Sequence, residues 1–176
     1  MLIILPTDTC YGLAGDFTEQ DYLEIYRRKG RDFDKLLAIL VEDYADMQTY
    51  IEISDEQIEF LRNYPHPWSF LGKRRAELDM PDWLDSERYQ MFSVRVASVC
   101  LPTFQHSNIP TLSFLLFLTS ANLSWEPEST TLTEALSSFP GVTGYDGWVC
   151  DQPPSDIFSI GEDGELRYVR RNYSKS

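Results

Sequence analysis

The stretch Leu2-Ile3-Ile4-Leu5-Pro6-Thr7-Asp8-Thr9-Cys10-Tyr11-Gly12-Leu13 decides how the rest of the chain is interpreted. Its first four residues are an apolar run of strand length, and small polar residues, a cysteine and Tyr-Gly follow the proline. Such a strand delivers hydroxyl groups and a backbone turn to its own C-terminal edge, which is where ligands bind in open α/β sheets. The sequence therefore predicts a site for a polar ligand near its start.

The length and composition are those of one globular domain with a substantial core. The chain has 176 residues, of which 43% are hydrophobic and 14% aromatic. Its longest strong apolar run, 114–118, is far shorter than the roughly 20 residues of a membrane span. The start lacks the basic and apolar regions of a secretion signal, so we expect a cytoplasmic protein with no membrane association.

The cysteines favour a reducing compartment. Cys10, Cys100 and Cys150 are odd in number, far apart and without metal-ligand spacing. We therefore expect buried or idle thiols and no metal site made of cysteine.

The net charge of −13 argues against tight binding of nucleic acid by the whole surface. The positive charges are nevertheless bunched, and this pattern suits a small anionic ligand better than a long polyanion, although solvated basic faces would look the same. The basic clusters are Arg27, Arg28, Lys29, Arg31 and Lys35; Lys73, Arg74 and Arg75; Arg95; and Arg167, Arg170 and Arg171.

Strand and helix signals alternate along the chain. Helices are predicted after the capping residues Thr18, Ser54 and Thr131, and Gly30 is expected to end the first of them. An Asp163-Gly164 turn predicts a late hairpin. The pattern indicates a mixed sheet of the α/β (α+β) class. Strands are predicted at 2–5, 36–41, 68–71, 92–96, 114–118, 157–160 and 166–169.

Two short segments are candidates for ligand binding. Lys29-Gly30-Arg31 pairs a movable ammonium with a planar guanidinium, which fits a phosphate or carboxylate clamp, and Lys35 adds a third positive group. Capping of the helix C-terminus is the alternative, because cations are favoured there in any case. Residues 119–124, Thr-Ser-Ala-Asn-Leu-Ser, supply hydroxyl and amide groups for a polar ligand, unless they merely cap a helix.

Several other kinds of site are disfavoured. A nucleophilic serine needs a histidine within reach, and this chain has only His66 and His106 and no G-x-S-x-G motif. It also lacks the G-x-x-x-x-G-K-[ST] and G-x-G-x-x-G nucleotide motifs. No spacing of histidine, cysteine and carboxylate indicates a structural metal.

Taken in order, the segments resemble the YrdC-like family, whose best-known members are threonylcarbamoyl-AMP synthases. The match covers nearly the whole chain, although each motif is short. The matching segments are Pro6 to Leu13 (P-T-[DE]-T-x-Y-G-L), Lys29 and Arg31 (K-x-R) with Lys35 beyond, 65–70 (loosely P-G-P-x-T-F), 93–97 (S-V-R-V-P), 119–125 ([ST]-S-A-N-x-S-G), 127–130 (P-x-x-T), 154–157 (within P-S-T-I-V-D) and the final Arg170.

The resemblance implies a single YrdC-like domain over 1–176, with a twisted open mixed sheet, flanking helices and a basic concave cavity. Family members usually carry a helix before the first strand, and this sequence starts at the strand itself. The implied enzyme is a nucleotidyltransferase that makes L-threonylcarbamoyl-AMP and pyrophosphate from L-threonine, bicarbonate or CO2, and ATP. This is the first step of the threonylcarbamoyl modification of adenosine 37 in tRNA.

The resemblance also implies roles for individual residues, with Lys29 and Arg31 as the catalytic pair and Mg²⁺ held only through the phosphates of ATP. A separate enzyme transfers threonylcarbamoyl to tRNA and is a candidate partner, and direct tRNA binding is expected to be weak or absent. The implied ATP ligands are Lys29, Arg31, Lys35, Ser69, Ser120, Asn122, Ser155 and Arg170, and the implied threonine or carbamate ligands are Thr7, Thr9, Tyr11, Arg95 and Thr119.

Two departures from the family pattern bear on this interpretation. Trp125 stands where the family has glycine, and Asp156 replaces a threonine and is expected to bring negative charge near the anion site. A non-catalytic RNA- or nucleotide-binding relative of the same fold is therefore the alternative. Carbamoyl transfer in the maturation of a metal centre is a third hypothesis, but this sequence lacks the zinc-finger and acylphosphatase-like segments that accompany that role.

Overall fold

The computed structural model describes residues 1–101, 114–149 and 153–173. Within them, strands and helices alternate as the sequence predicts. The strands are β1 Ile3–Pro6, β2 Tyr11–Asp16, β3 Ala38–Val41, β4 Ile51–Glu52, β5 Trp68–Arg74, β6 Met91–Val96, β7 Leu116–Ser120, β8 Thr143–Gly144, β9 Asp156–Ile160 and β10 Leu166–Arg170. The helices are α1 Glu19–Lys29, α2 Tyr44–Tyr50, α3 Asp55–Arg62, α4 Ala97–Cys100 and α5 Leu132–Ser138, with one 3₁₀ turn at Arg88–Gln90.

All described strands belong to one open, mixed sheet, which confirms the predicted fold class. Its order is β10-β9-β5-β6-β3-β7-β2-β1-β8, and β4 pairs with β5 outside this path. The pairs β3–β6, β5–β9 and β1–β8 are parallel, and the others are antiparallel. The crossovers bring the strands of the first and last thirds of the chain to neighbouring positions in the sheet.

The apolar core lies on both faces of the sheet. Ile39 and Phe117 belong to one buried cluster, whereas their chain neighbours Leu40 and Leu116 belong to the other. This alternation follows from the two-residue period of a strand. Among the described helices, none is both long and apolar enough to cross a bilayer.

The helix boundaries follow local capping chemistry. The Thr18, Ser54 and Thr131 hydroxyls each accept a hydrogen bond from the backbone N–H three residues on, as predicted. Gly30 ends α1 in the left-handed conformation, with φ of 57°. Helix α2 was not predicted, although Asp43 caps it in a reciprocal arrangement with Asp46.

Three strand predictions need correction. The first strand does not end in an open loop, because residues 7–10 are a hairpin that returns as β2, with Pro6 opposite Tyr11. Strand β7 covers 116–120 and not 114–118, because pairing with β2 extends it through Thr119 and Ser120. Strand β3 begins at Ala38 and not at residue 36, because the Arg31 guanidinium takes the carbonyls of residues 35 and 36.

Candidate functional site

A cavity of about 180 Å³ opens where β7, the β1–β2 hairpin and the strands from the end of the chain come together. Thr7 and Thr9 come from the hairpin, and Thr119 and Ser120 end β7. The predicted site residues that line the cavity are Thr7, Thr9, Arg31, Ser69, Arg95, Thr119, Ser120, Ser155 and Arg170. The predicted site residues that do not line it are Tyr11, Lys29, Lys35 and Asn122.

Arg31 reaches the cavity from the loop after α1. Its Nε donates to the Lys35 carbonyl at 2.9 Å, and one terminal nitrogen donates to the Leu36 carbonyl at 3.0 Å. Burial lowers the pKa of Arg31, and nearby tyrosines act in the opposite direction. The guanidinium is therefore held in place by backbone oxygens while keeping its charge for an anion.

Arg95 lies on β6 and is neutralised by its own counter-ion. A terminal nitrogen donates to Asp8 Oδ1 at 2.6 Å, and Nε donates to the Trp68 carbonyl at 3.2 Å. The two charged side chains are only 8% and 13% exposed. Burial opposes the charge on Arg95, but the Asp8 carboxylate outweighs it and the pKa of Arg95 is raised.

Arg170 ends β10 and lies against the chain segment before β9. Its Nε donates to the Ser155 carbonyl at 2.9 Å, and a terminal nitrogen donates to Ser155 Oγ at 3.2 Å. The Ser69 and Ser155 hydroxyl oxygens are 3.4 Å apart. Two hydroxyls and a guanidinium from distant parts of the sequence thus converge on one side of the cavity.

Lys29 does not line the cavity, and its side chain is bonded to the loop that follows β7, so its role as a phosphate ligand stays a prediction. Its ammonium donates to the carbonyls of Ser120 at 2.5 Å and Asn122 at 2.6 Å, and to Asn122 Oδ1 at 3.3 Å. The Asn122 amide nitrogen donates to the Glu126 carbonyl, so this side chain stabilises the loop after β7. Lys29 therefore ties the end of α1 to the end of β7.

Lys29 predicts a pH dependence of stability. Burial, assisted by repulsion from Arg31, lowers the pKa of Lys29 to about 7. An unfolded lysine keeps its proton until about pH 10.4. Between these values the unfolded state binds more protons, so the free energy of unfolding rises with pH.

We expect Lys29 to contribute this rise between pH 7 and 8.5, with a slope of at most about 1.4 kcal/mol per pH unit. Above that range, Cys10 and Cys100 oppose it, because burial raises the pKa of each thiol to about 12 and their protons favour the folded state. Urea unfolding of the wild type and of Lys29→Met at several pH values measures the slope. Equal slopes in the two proteins would contradict this assignment.

Tyr11 and Lys35 stabilise the surroundings of the cavity and do not line it. The Tyr11 hydroxyl has two acceptors for its one proton, the Gly147 carbonyl at 2.8 Å and Asp146 Oδ1 at 3.1 Å, and burial raises the pKa of Tyr11. The Lys35 side chain is exposed, and its carbonyl accepts from Arg31 and from the Tyr26 hydroxyl. Both residues support the cavity wall without contributing a side chain to it.

The cavity also contains polar residues that the sequence analysis did not single out. Cys10, Ser93 and Glu128 line it, and Asp8 accepts a hydrogen bond from Arg95. Asp8 could have been predicted, because it is the acid of the P-T-[DE]-T motif. Nothing in the sequence distinguishes Glu128 from the other acidic residues. Cys10 and Cys100 are buried free thiols, as expected, and Cys150 and His106 lie outside the described residues.

The two departures from the family pattern have local explanations. Asp156 is fully buried and does not line the cavity, although its negative charge still acts on Arg170, which does. Its carboxylate accepts from the Tyr64 hydroxyl at 2.6 Å and from the Asn172 backbone N–H at 2.7 Å. Trp125 is 72% exposed and lies over Gly30, where a Cβ would approach its ring to 2.6 Å. No cluster of metal-ligating side chains occurs in the described ranges.

A family model decides the relationship. The Sua5/YciO/YrdC model, described as "Telomere recombination", matches residues 1–171. The chain belongs to this family. A threonylcarbamoyl-AMP synthase of Nitrosococcus oceani is 28% identical over 158 residues, which are 81% of this chain and 80% of that protein.

Two solved structures share the fold. P. abyssi Sua5 in complex with L-threonine has a TM-score of 0.71 and 21% identity, with coverage of 90% of this chain and 47% of that one. Full-length HypF in its phosphate- and nucleotide-bound form has a TM-score of 0.77 and 19% identity. That match covers 97% of this chain and only 26% of HypF.

Proposed function

We propose that this protein is a nucleotidyltransferase that forms L-threonylcarbamoyl-AMP from L-threonine, bicarbonate or CO2, and ATP, and releases pyrophosphate. The observation that carries the proposal is the convergence of three arginines and a ring of serine and threonine hydroxyls on one cavity. The relatives named threonylcarbamoyl-AMP synthase and the threonine-bound Sua5 support the choice of reaction. The product would feed the modification of tRNA in the cytoplasm through a separate transferase.

The chemistry needs positioning and charge neutralisation more than a protein nucleophile. The threonine ammonium first loses a proton to solvent, and the neutral amine then attacks CO2 and loses a second proton, which gives a carbamate. A carbamate oxygen then attacks the α-phosphorus of ATP, and the bond to the bridging oxygen of the β-phosphate breaks to release pyrophosphate. Fixed cations stabilise the charge that develops on the phosphate oxygens.

The side chains of the cavity fit these demands. We propose that Arg31 and Arg170 bind the phosphates of ATP, which carry the Mg²⁺. The hydroxyls of Ser69, Ser120 and Ser155 are assigned to the rest of the nucleotide. Thr7, Thr9, Thr119 and Arg95 are assigned to threonine and its carbamate. Cys10 takes no covalent part, because burial raises the pKa of its thiol to about 12 and leaves it protonated at neutral pH.

Pyrophosphate release tests the proposal directly. Purified protein is incubated with labelled ATP, Mg²⁺, bicarbonate and L-threonine, with threonine or bicarbonate omitted in matched reactions. We expect release that requires both co-substrates together. ATP binding without threonine-dependent release would overturn the proposal, and tRNA binding tighter than about micromolar at physiological salt would favour the non-catalytic alternative.

A further inference from the structure

Glu128 is the exception in the charge pattern of the cavity. The lining cations are Arg31, Arg95 and Arg170, and Glu128 is the only carboxylate among the described lining residues. It lies in the P-x-x-T segment, between the proline and the serine. A cavity built only for phosphates gains nothing from a negative charge in its wall, since like charges repel.

The Glu128 carboxylate has no protein partner of its own. It makes no hydrogen bond and no ion pair with any residue in the described part of the chain. By contrast, Asp8 is paired with Arg95, and Asp156 accepts from two backbone N–H groups and a tyrosine. Glu128 is partly exposed, so a ligand in the cavity can supply its carboxylate with a positively charged donor.

The backbone that carries Glu128 is fixed. The neighbouring Ser129 hydroxyl donates to the Ala121 carbonyl at 2.6 Å, and the Ser129 carbonyl accepts from the Tyr11 N–H at 2.9 Å. The carboxylate is thereby held beside the β1–β2 hairpin, the side of the cavity assigned to threonine. Its field also reaches Lys29 and Arg170, where it favours the protonated forms although burial lowers both pKa values.

The substrates that satisfy this arrangement together carry both signs of charge. The anionic groups are the phosphates of ATP at Arg31 and Arg170, and the cationic group belongs to the co-substrate and meets Glu128. We propose that Glu128 receives the α-ammonium group of the amino-acid substrate and so selects an amino acid over an acid that lacks the ammonium. This specificity role rests on the proposed function, because the amino acid in question is the L-threonine of that reaction.

A divalent cation is a weaker candidate for the same carboxylate. Mg²⁺ requires near-octahedral oxygen ligands and usually binds through one or two carboxylates together with substrate phosphates. Glu128 is the single carboxylate in the described wall, and the positive charge of nearby Arg170 repels a divalent ion more than an ammonium. The test nevertheless separates the two cations.

Isothermal titration in Mg²⁺-free buffer measures binding of L-threonine and of 2,3-dihydroxybutyrate, in which a hydroxyl replaces the α-ammonium. We expect the wild type to prefer threonine, and Glu128→Gln to reduce this preference about tenfold to a hundredfold, the range for a charge-assisted hydrogen bond. Glu126→Gln is the matched control, because it removes the same charge from an exposed side chain of the same loop that does not line the cavity. Thermal melting verifies that each variant is folded.

The outcomes distinguish this proposal from the function on which it rests. An unchanged preference in Glu128→Gln would overturn the role of Glu128, whatever the enzyme does. A raised Mg²⁺ requirement for pyrophosphate release with unchanged threonine binding would assign the carboxylate to the metal and also overturn it. Loss of the preference in a protein that releases no pyrophosphate would support the role of Glu128 and refute the synthase.

Discussion

Replacing Arg31 with alanine is expected to lower kcat/KM for threonine-dependent pyrophosphate release by about 10²–10³-fold, the range for loss of one preorganised charge-stabilising donor. Arg31 lines the cavity, and its position is fixed by the carbonyls of Lys35 and Leu36. Because its guanidinium does not have to be ordered during the reaction, it stabilises the developing phosphate charge at little entropic cost. Steady-state kinetics with saturating bicarbonate measures the effect.

Two further variants separate this role from general effects of charge. Arg31→Lys keeps the charge but loses the planar fork that holds both carbonyls, so we expect an intermediate loss. Arg27→Ala removes an exposed cation from helix α1, just before Arg31, where Arg27 pairs with Glu24, and full activity is expected. Equal activity of Arg31→Ala and Arg27→Ala would contradict the assignment of Arg31 to the phosphates.

The parts of the fold that sequence predicted best depend on local chemistry. Thr18 and Gly30 define α1 because a hydroxyl cap and a left-handed glycine act within a few residues. Strand β2 was missed because Tyr11-Gly12-Leu13 is short and mixed, and it becomes a strand only by pairing with β1 and β7. Pairing across the sheet is a tertiary effect, which composition and periodicity do not contain.

The same distinction applies to the site. Sequence predicted that Arg31, Ser155 and Arg170 share a cavity, although they are far apart in the chain, because the family resemblance covers all three segments. It could not predict the direction of each side chain. Lys29 and Arg31 are two residues apart, yet only Arg31 enters the cavity, whereas Lys29 reaches the carbonyls of Ser120 and Asn122.

Asp8 offers the largest expected change in stability. Substitution of Asp8 with asparagine preserves the shape of the side chain but leaves the Arg95 charge buried without its counter-ion. Breaking one partner of a buried pair costs about 3–5 kcal/mol, because the remaining charge stays desolvated. Chemical denaturation at neutral pH measures this loss in the free energy of unfolding.

A double-mutant cycle separates the unpaired charge from other effects of the substitution. Arg95→Met removes the buried cation, so Asp8→Asn added to Arg95→Met should cost far less than Asp8→Asn alone. Glu52→Gln is the surface control: Glu52 and Lys73 form an exposed pair, and its loss should cost at most about 1 kcal/mol. If the losses for Asp8 and Arg95 simply add, the pair is not coupled.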